Sequence, residues 1–262
     1  MAGAVTTAAM IATPLLPQGG RARRVLSTVV VVASCTTTTA NAARRWGMPR
    51  AGIAASTVAA GTTIVEHVGA TTGRPFGRYG YTGALRPQMA GVPVVVPLAW
   101  FAMALPARET AHAALGPRST PLGRIALGSV ALTAWDLFLD PQMVGEGYWA
   151  WARRGIYRGV PLTNFLGWFV TGLGVMAVLE AILPPVDDGQ TVSVTLVSDT
   201  DVTITVPCRR PADASLIGEY AFMGVMETIG FARWFRDPVV AVVGGLAMLP
   251  IAAVAVGRRL RA

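Results

Sequence analysis

The feature that most restricts this chain is a series of long apolar windows at 25–43, 51–70, 90–106, 122–140, 160–183, 215–232 and 238–257. Each approaches the roughly 20 residues that an α-helix needs to cross a hydrocarbon layer. A helix satisfies its backbone hydrogen bonds internally, so windows of this kind in series predict an all-α, polytopic transmembrane bundle. The window 215–232 is the weakest, because Glu219 and Glu227 interrupt it. About seven spans are expected with it, and six if that segment lies in the interface instead. Composition agrees: 53% of the residues are hydrophobic and 14% charged, too apolar for an ordinary soluble domain of this length.

The formal net charge is +8 and every basic residue is an arginine. One basic patch would suggest nucleic acid. Here the arginines fall in small groups between the windows, such as Arg21, Arg23 and Arg24 or Arg258, Arg259 and Arg261, as expected at membrane borders. Nucleic-acid binding is therefore excluded as a reading. Alternate sides of a seven-span chain receive arginines evenly, so charge does not orient it. Cys35 and Cys208 lie far apart, and His67 and His112 are the only histidines, so neither a disulfide framework nor a metal site is expected.

The expected layout is a flexible leader over 1–24, broken by Pro14 and Pro17, then a catalytic bundle over 25–183 with its motifs in 60–170. Residues 184–214 are polar and alternate Val192, Val194, Leu196, then Val202, Ile204, Val206 around Ser198–Asp201. Period-two alternation predicts a small extramembrane β-hairpin there. Residues 215–262 complete the bundle as carboxy-terminal helices.

Chemistry concentrates between Glu66 and Trp168. Glu66 lies in the second window, where a charged group usually faces a cavity or a partner. Asp136 and Asp140 are four residues apart, so a helix places both carboxyls on one face. Pro141 suggests a helix end at Asp140, where the negative end of the macrodipole and the neighbouring acid would both favour one proton held by the pair. A general acid needs such a proton. Pairing of these acids with nearby arginines is the bland alternative. Trp100, Trp135, Tyr148, Trp149, Trp151, Tyr157 and Trp168 surround the acids in sequence, either as an interfacial belt or as faces that stabilise a cation in a dry pocket. The Gly- and Pro-rich stretch 73–81, with Tyr79 and Tyr81, reads as an ordered loop, without the ending of a phosphate loop.

Three blocks carry a resemblance. The first is Glu66 with 72–81, Gly91–Pro93 and Pro97–Trp100; the second runs from Asp136 to Met143; the third joins Trp149–Trp151 to Gly155–Trp168 and contains Asn164. In order and spacing they resemble the membrane carotenoid hydratases, of the bisanhydrobacterioruberin hydratase and carotenoid 1,2-hydratase kind, over roughly residues 60–170, with the hairpin region outside the pattern. The resemblance implies hydration of the terminal double bond of an acyclic polyene, without a redox cofactor or metal, by an integral protein of a bacterial cell membrane. It implies a carotenoid as substrate, lipid as surroundings and other carotenoid biosynthesis enzymes as neighbours. In that chemistry Asp136 or Asp140 is the expected acid and Glu66 orients water. Trp135, Trp149 or Trp168 would lie near the cation, Asn164 could hold the water, and Trp100, Trp151, Tyr79 and Tyr81 complete the substrate site.

Two other readings compete. Paired aspartates could hold magnesium for a membrane prenyltransferase, although a second Asp-rich segment is missing. A non-enzymatic polyene or lipid carrier, or an assembly subunit, would also place acids along a polar path.

Overall fold

The computed structural model describes residues 2–261 apart from 185–190, 197–201 and 208–211, with 191–196 and 202–207 described by their backbone. In chain order the elements are α1 (Ala2–Ala12), α2 (Arg21–Trp46), α3 (Met48–Thr72), β1 (Tyr79–Tyr81), β2 (Gln88–Met89), β3 (Val92–Pro93), α4 (Val95–Leu115), α5 (Pro121–Gly145), β4 (Trp149–Trp151), α6 (Leu162–Ile182), β5 (Thr191–Leu196), β6 (Val202–Pro207), α7 (Ala214–Arg233) and α8 (Pro238–Leu260). The long helices α2 to α8 fall on the seven apolar windows. Four of them, α2, α5, α6 and α8, are long and apolar enough to cross a membrane. The other three are interrupted by charged residues, among them Glu66 on α3, Arg108 and Glu109 on α4, and Glu219 and Glu227 on α7.

Helix α4 is the axis of the bundle: every residue from Trp100 to Ala111 is buried, and α2, α3, α5, α6, α7 and α8 all pack on it. Its Arg108 pairs with Glu109 at 3.2 Å and with Glu180 of α6 at 3.1 Å, and Glu180 also pairs with Arg124 of α5. Charges this deep are tolerated only when paired, so the network ties three helices at one end of the bundle.

Two prolines inside helices show how local sequence and packing cooperate. A proline leaves the carbonyl four residues earlier without its helical donor. For Pro141 that carbonyl belongs to Leu137, and Tyr157 Oη donates to it at 2.9 Å. For Pro106 it belongs to Ala102, and Thr38 Oγ1 of α2 lies 3.0 Å away. The expected helix end at Asp140 is therefore corrected: α5 continues through Pro141 to Gly145. Asp140 is thus more than a turn from the helix terminus, which weakens the expected macrodipole contribution.

Two further expectations change. Residues 2–12 form α1, which packs along α2, where a flexible leader was expected; Pro14 follows in a 3-10 turn (Thr13–Leu15). The strands are also more numerous than one hairpin. The expected β5–β6 pair is present, antiparallel from Thr191↔Pro207 to Leu196↔Val202, while Asp187, Asp188, the turn residues Ser198–Asp201 and Cys208 lie outside the described residues. Two more sheets occur within the motif region, β1 with β4 and β2 with β3. They were illegible because strands of two or three residues carry almost no periodicity.

Candidate active site

The β1–β4 pair builds one wall of the site. Its register sets Tyr79 opposite Trp151, Gly80 opposite Ala150 and Tyr81 opposite Trp149. Side chains alternate along a strand, so Tyr-Gly-Tyr and Trp-Ala-Trp put four aromatic rings on one face and only Gly80 and Ala150 on the other. The rings touch: Tyr81 meets Trp149 edge-on at 5.8 Å between centroids, and Tyr79 lies 5.7 Å from Trp151. The wall is held to the helices by Phe76, wedged between two glycines. A Cβ at Gly69 of α3 or at Gly167 of α6 would stand 2.7 Å from the Phe76 ring, so these two positions must stay bare. Trp151 Nε1 completes the join by donating to Phe76 O at 3.0 Å.

Glu66 is buried behind this wall and accepts three side-chain hydrogen bonds. Tyr81 Oη donates at 2.8 Å, Trp100 Nε1 at 3.0 Å, and Tyr79 Oη also donates to it. Burial, together with the adjacent Glu66 carboxylate, holds the phenols of Tyr79 and Tyr81 well above their ordinary range, so both remain protonated donors. Trp100 stacks on Trp168 with centroids 3.9 Å apart and planes 11° from parallel.

The acid pair stands across from Glu66. Asp136 is fully buried and Asp140 is 3% exposed. The Asn164 amide of α6 bridges them, donating to Asp136 Oδ2 at 2.9 Å and also to Asp140 Oδ2. Trp149 Nε1 donates to Asp140 Oδ1 at 2.9 Å, whereas Asp136 Oδ1 has no partner among the described residues. No ion pair reaches either aspartate among the described residues, which removes the expected alternative of pairing with arginine.

Glu66, Tyr79, Tyr81, Trp100, Asp140, Trp149, Trp151, Asn164 and Trp168 thus line one cavity of about 60 Å³. Two residues expected there are displaced. Asp136 sits behind Asp140 and Asn164, outside the lining, and Trp135 lines the adjoining chamber, meeting Trp168 edge-on at 6.0 Å. On α5, Trp135 is one position before Asp136, and one helical step of about 100° turns it out of the acid face. The Asn164 amide nitrogen is engaged with both acids. Sequence reading missed Phe76, and the two glycines flanking it in space are too far apart in the chain to give a local signal.

Residues 23–207 match the family described as carotenoid biosynthesis protein. The match reaches beyond the motif blocks at 60–170 on both sides and includes β5 and β6, so the expectation that the hairpin lies outside the family pattern is corrected. A curated relative, bisanhydrobacterioruberin hydratase of Haloarcula japonica, is 34% identical over 125 residues, covering 47% of this chain and 42% of the relative. The chain therefore aligns with less than half the length of that relative. No solved structure matches.

Proposed function

The chain belongs to the carotenoid biosynthesis protein family, and on that premise we propose that its buried acid site adds water to the terminal double bond of an acyclic carotenoid end group. The observation that carries this reading is the carboxyl pair without a counter-cation, one member of which faces an aromatic cavity. Asp140 lines the cavity and is the donor in this reading, while Asp136 and Asn164 position it and share its charge. The alkene π electrons take the proton at the less substituted carbon, leaving a tertiary carbocation. Indole and phenol faces stabilise that cation in the aromatic-lined site. A water oxygen then bonds to the cation, and the surplus proton returns to the carboxylate. No electrons are gained or lost. Glu66, fixed by three donors, is the remaining acceptor for orienting that water. In the same reading all seven long helices cross the membrane, which delivers the polyene from lipid.

Expression in a host that makes an acyclic carotenoid, followed by pigment mass analysis, tests the reaction. The product should gain the mass of one water, and in labelled water its oxygen should come from solvent. Label from molecular oxygen would sink the reading. Asp140→Asn keeps size and hydrogen bonding but removes the transferable proton, so turnover should fall by the roughly 10²–10⁴-fold of a general acid, with insertion unchanged. Near-normal hydration by both Asp140→Asn and Asp136→Asn would make the pair structural.

A further inference from the structure

Hydration consumes a water molecule, yet the acid cavity is walled by aromatic rings. Two other cavities bear on how water arrives. One, of about 130 Å³, adjoins the acid cavity across a common wall of Val31, Leu85, Val95, Ala99, Leu139 and Met143. The other, of about 460 Å³, is lined by the polar Thr37, Asn41, Arg44, Ser215 and Glu219. It shares Ser34, Ala102, Met103 and Met223 with the first. The three lie in a row, from a polar chamber, through a smaller apolar one, to the acids.

The middle chamber is mostly apolar, and the few polar groups on its wall point to a small polar occupant. Among the described residues Ser34 Oγ is buried without a hydrogen-bond partner, and Tyr148 Oη, near Ser27, has none either. Glu227 of α7 lines the same chamber and has no hydrogen-bond or ion-pair partner among the described residues. Gln142, two residues beyond Asp140, lines it too. Unpartnered buried polar groups are costly, and water supplies partners wherever a cavity offers it two to four of them. Ser34 stands on both sides of the junction with the polar chamber.

Resting on the hydration reading, we propose that this row of cavities is the route by which water reaches the acid site, with Ser34 at its entrance and Glu227 and Tyr148 holding water along it. These are positioning residues: they touch the water before it reacts and leave the proton transfer to Asp140.

The fate of the carbocation tests this. When water is absent, the tertiary cation can only return a proton from an adjacent carbon, giving the starting alkene or its isomer. In deuterium oxide that alkene carries deuterium from the acid. Ser34→Leu, which fills the entrance, and Glu227→Leu should lower alcohol formation by about 10²-fold, the scale of a misplaced reactant. Because the acid is recharged with deuterium from the same water, exchange into recovered alkene should fall with it. Ser34→Ala, which removes the hydroxyl but leaves the entrance open, should lower alcohol formation less than Ser34→Leu does. The proposal is overturned if neither leucine variant changes alcohol formation, or if exchange persists at the wild-type level while alcohol falls, since solvent then reaches the acid another way. A second measurement does not depend on turnover: Ser34→Cys, in a background lacking Cys35 and Cys208, should react with a small water-soluble methanethiosulfonate. A folded variant that stays unlabelled means a dry chamber and overturns the route. Labelling, with neither alcohol nor exchanged alkene from the wild type, would keep the wet route and remove the hydration reading.

Discussion

Asn164 shows how much one side chain can organise. Its single amide nitrogen serves both members of the acid pair, and Asp136 has no other side-chain donor among the described residues. Replacing it with leucine, similar in branching though larger, removes that donor and leaves two buried carboxyls facing each other. Turnover of Asn164→Leu should fall by roughly 10²-fold, the low end of a general acid's contribution, while the protein still inserts. Pigment analysis beside a membrane-fraction blot reads both. Unchanged hydration would show that Trp149 alone, donating to Asp140 at 2.9 Å, suffices to hold the acid. Asn164 was legible in the sequence as a polar residue in an apolar window; its two partners, 24 and 28 residues earlier, were not.

At the scale of an element, α5 persists through Pro141 because Tyr157 supplies the missing donor to Leu137 O. Tyr157→Phe leaves that carbonyl unpaired, which should cost about 1–3 kcal/mol and lower the thermal unfolding midpoint in detergent. Adding Pro141→Ala should recover much of the loss, because alanine restores the N–H that bonds Leu137 O directly. A cycle in which the two changes are simply additive would show that Tyr157 acts elsewhere. This repair connects fold to function, since the turn it stabilises separates Asp136 from Asp140 and sets the reach of both.

Across the whole molecule, the ion-pair network joins α4, α5 and α6 through buried Arg108 and Arg124 and half-buried Glu180. Glu180→Ala would leave two arginines facing each other with one carboxylate fewer, costing about 3–5 kcal/mol. Loss of folded protein in a detergent thermal scan is the expected outcome; an unchanged midpoint would mean that water or lipid headgroups reach these arginines. Membrane crossing is tested separately. If all seven long helices cross, reporters fused at residues 20 and 262 should report opposite compartments. The same compartment at both would give an even number of crossings, with α7, interrupted by Glu219 and Glu227, the first helix to lie along the interface.

By itself the amino-acid order determined the helices, because seven long apolar windows leave the backbone no other way to satisfy its hydrogen bonds in an apolar setting. It also determined the facing of Asp136 and Asp140, since residues four apart share a helix face. The strand wall, the displacement of Trp135 and the placement of Glu66 opposite the acids were decided only by tertiary structure. Each depends on contacts between residues distant in the chain, such as Tyr81↔Trp149 or Trp100 with Glu66. A three-residue strand buries too little to form alone. It exists because the helices bring its partner alongside, and only then do the tyrosines and tryptophans turn to one side and close the cavity over the acids.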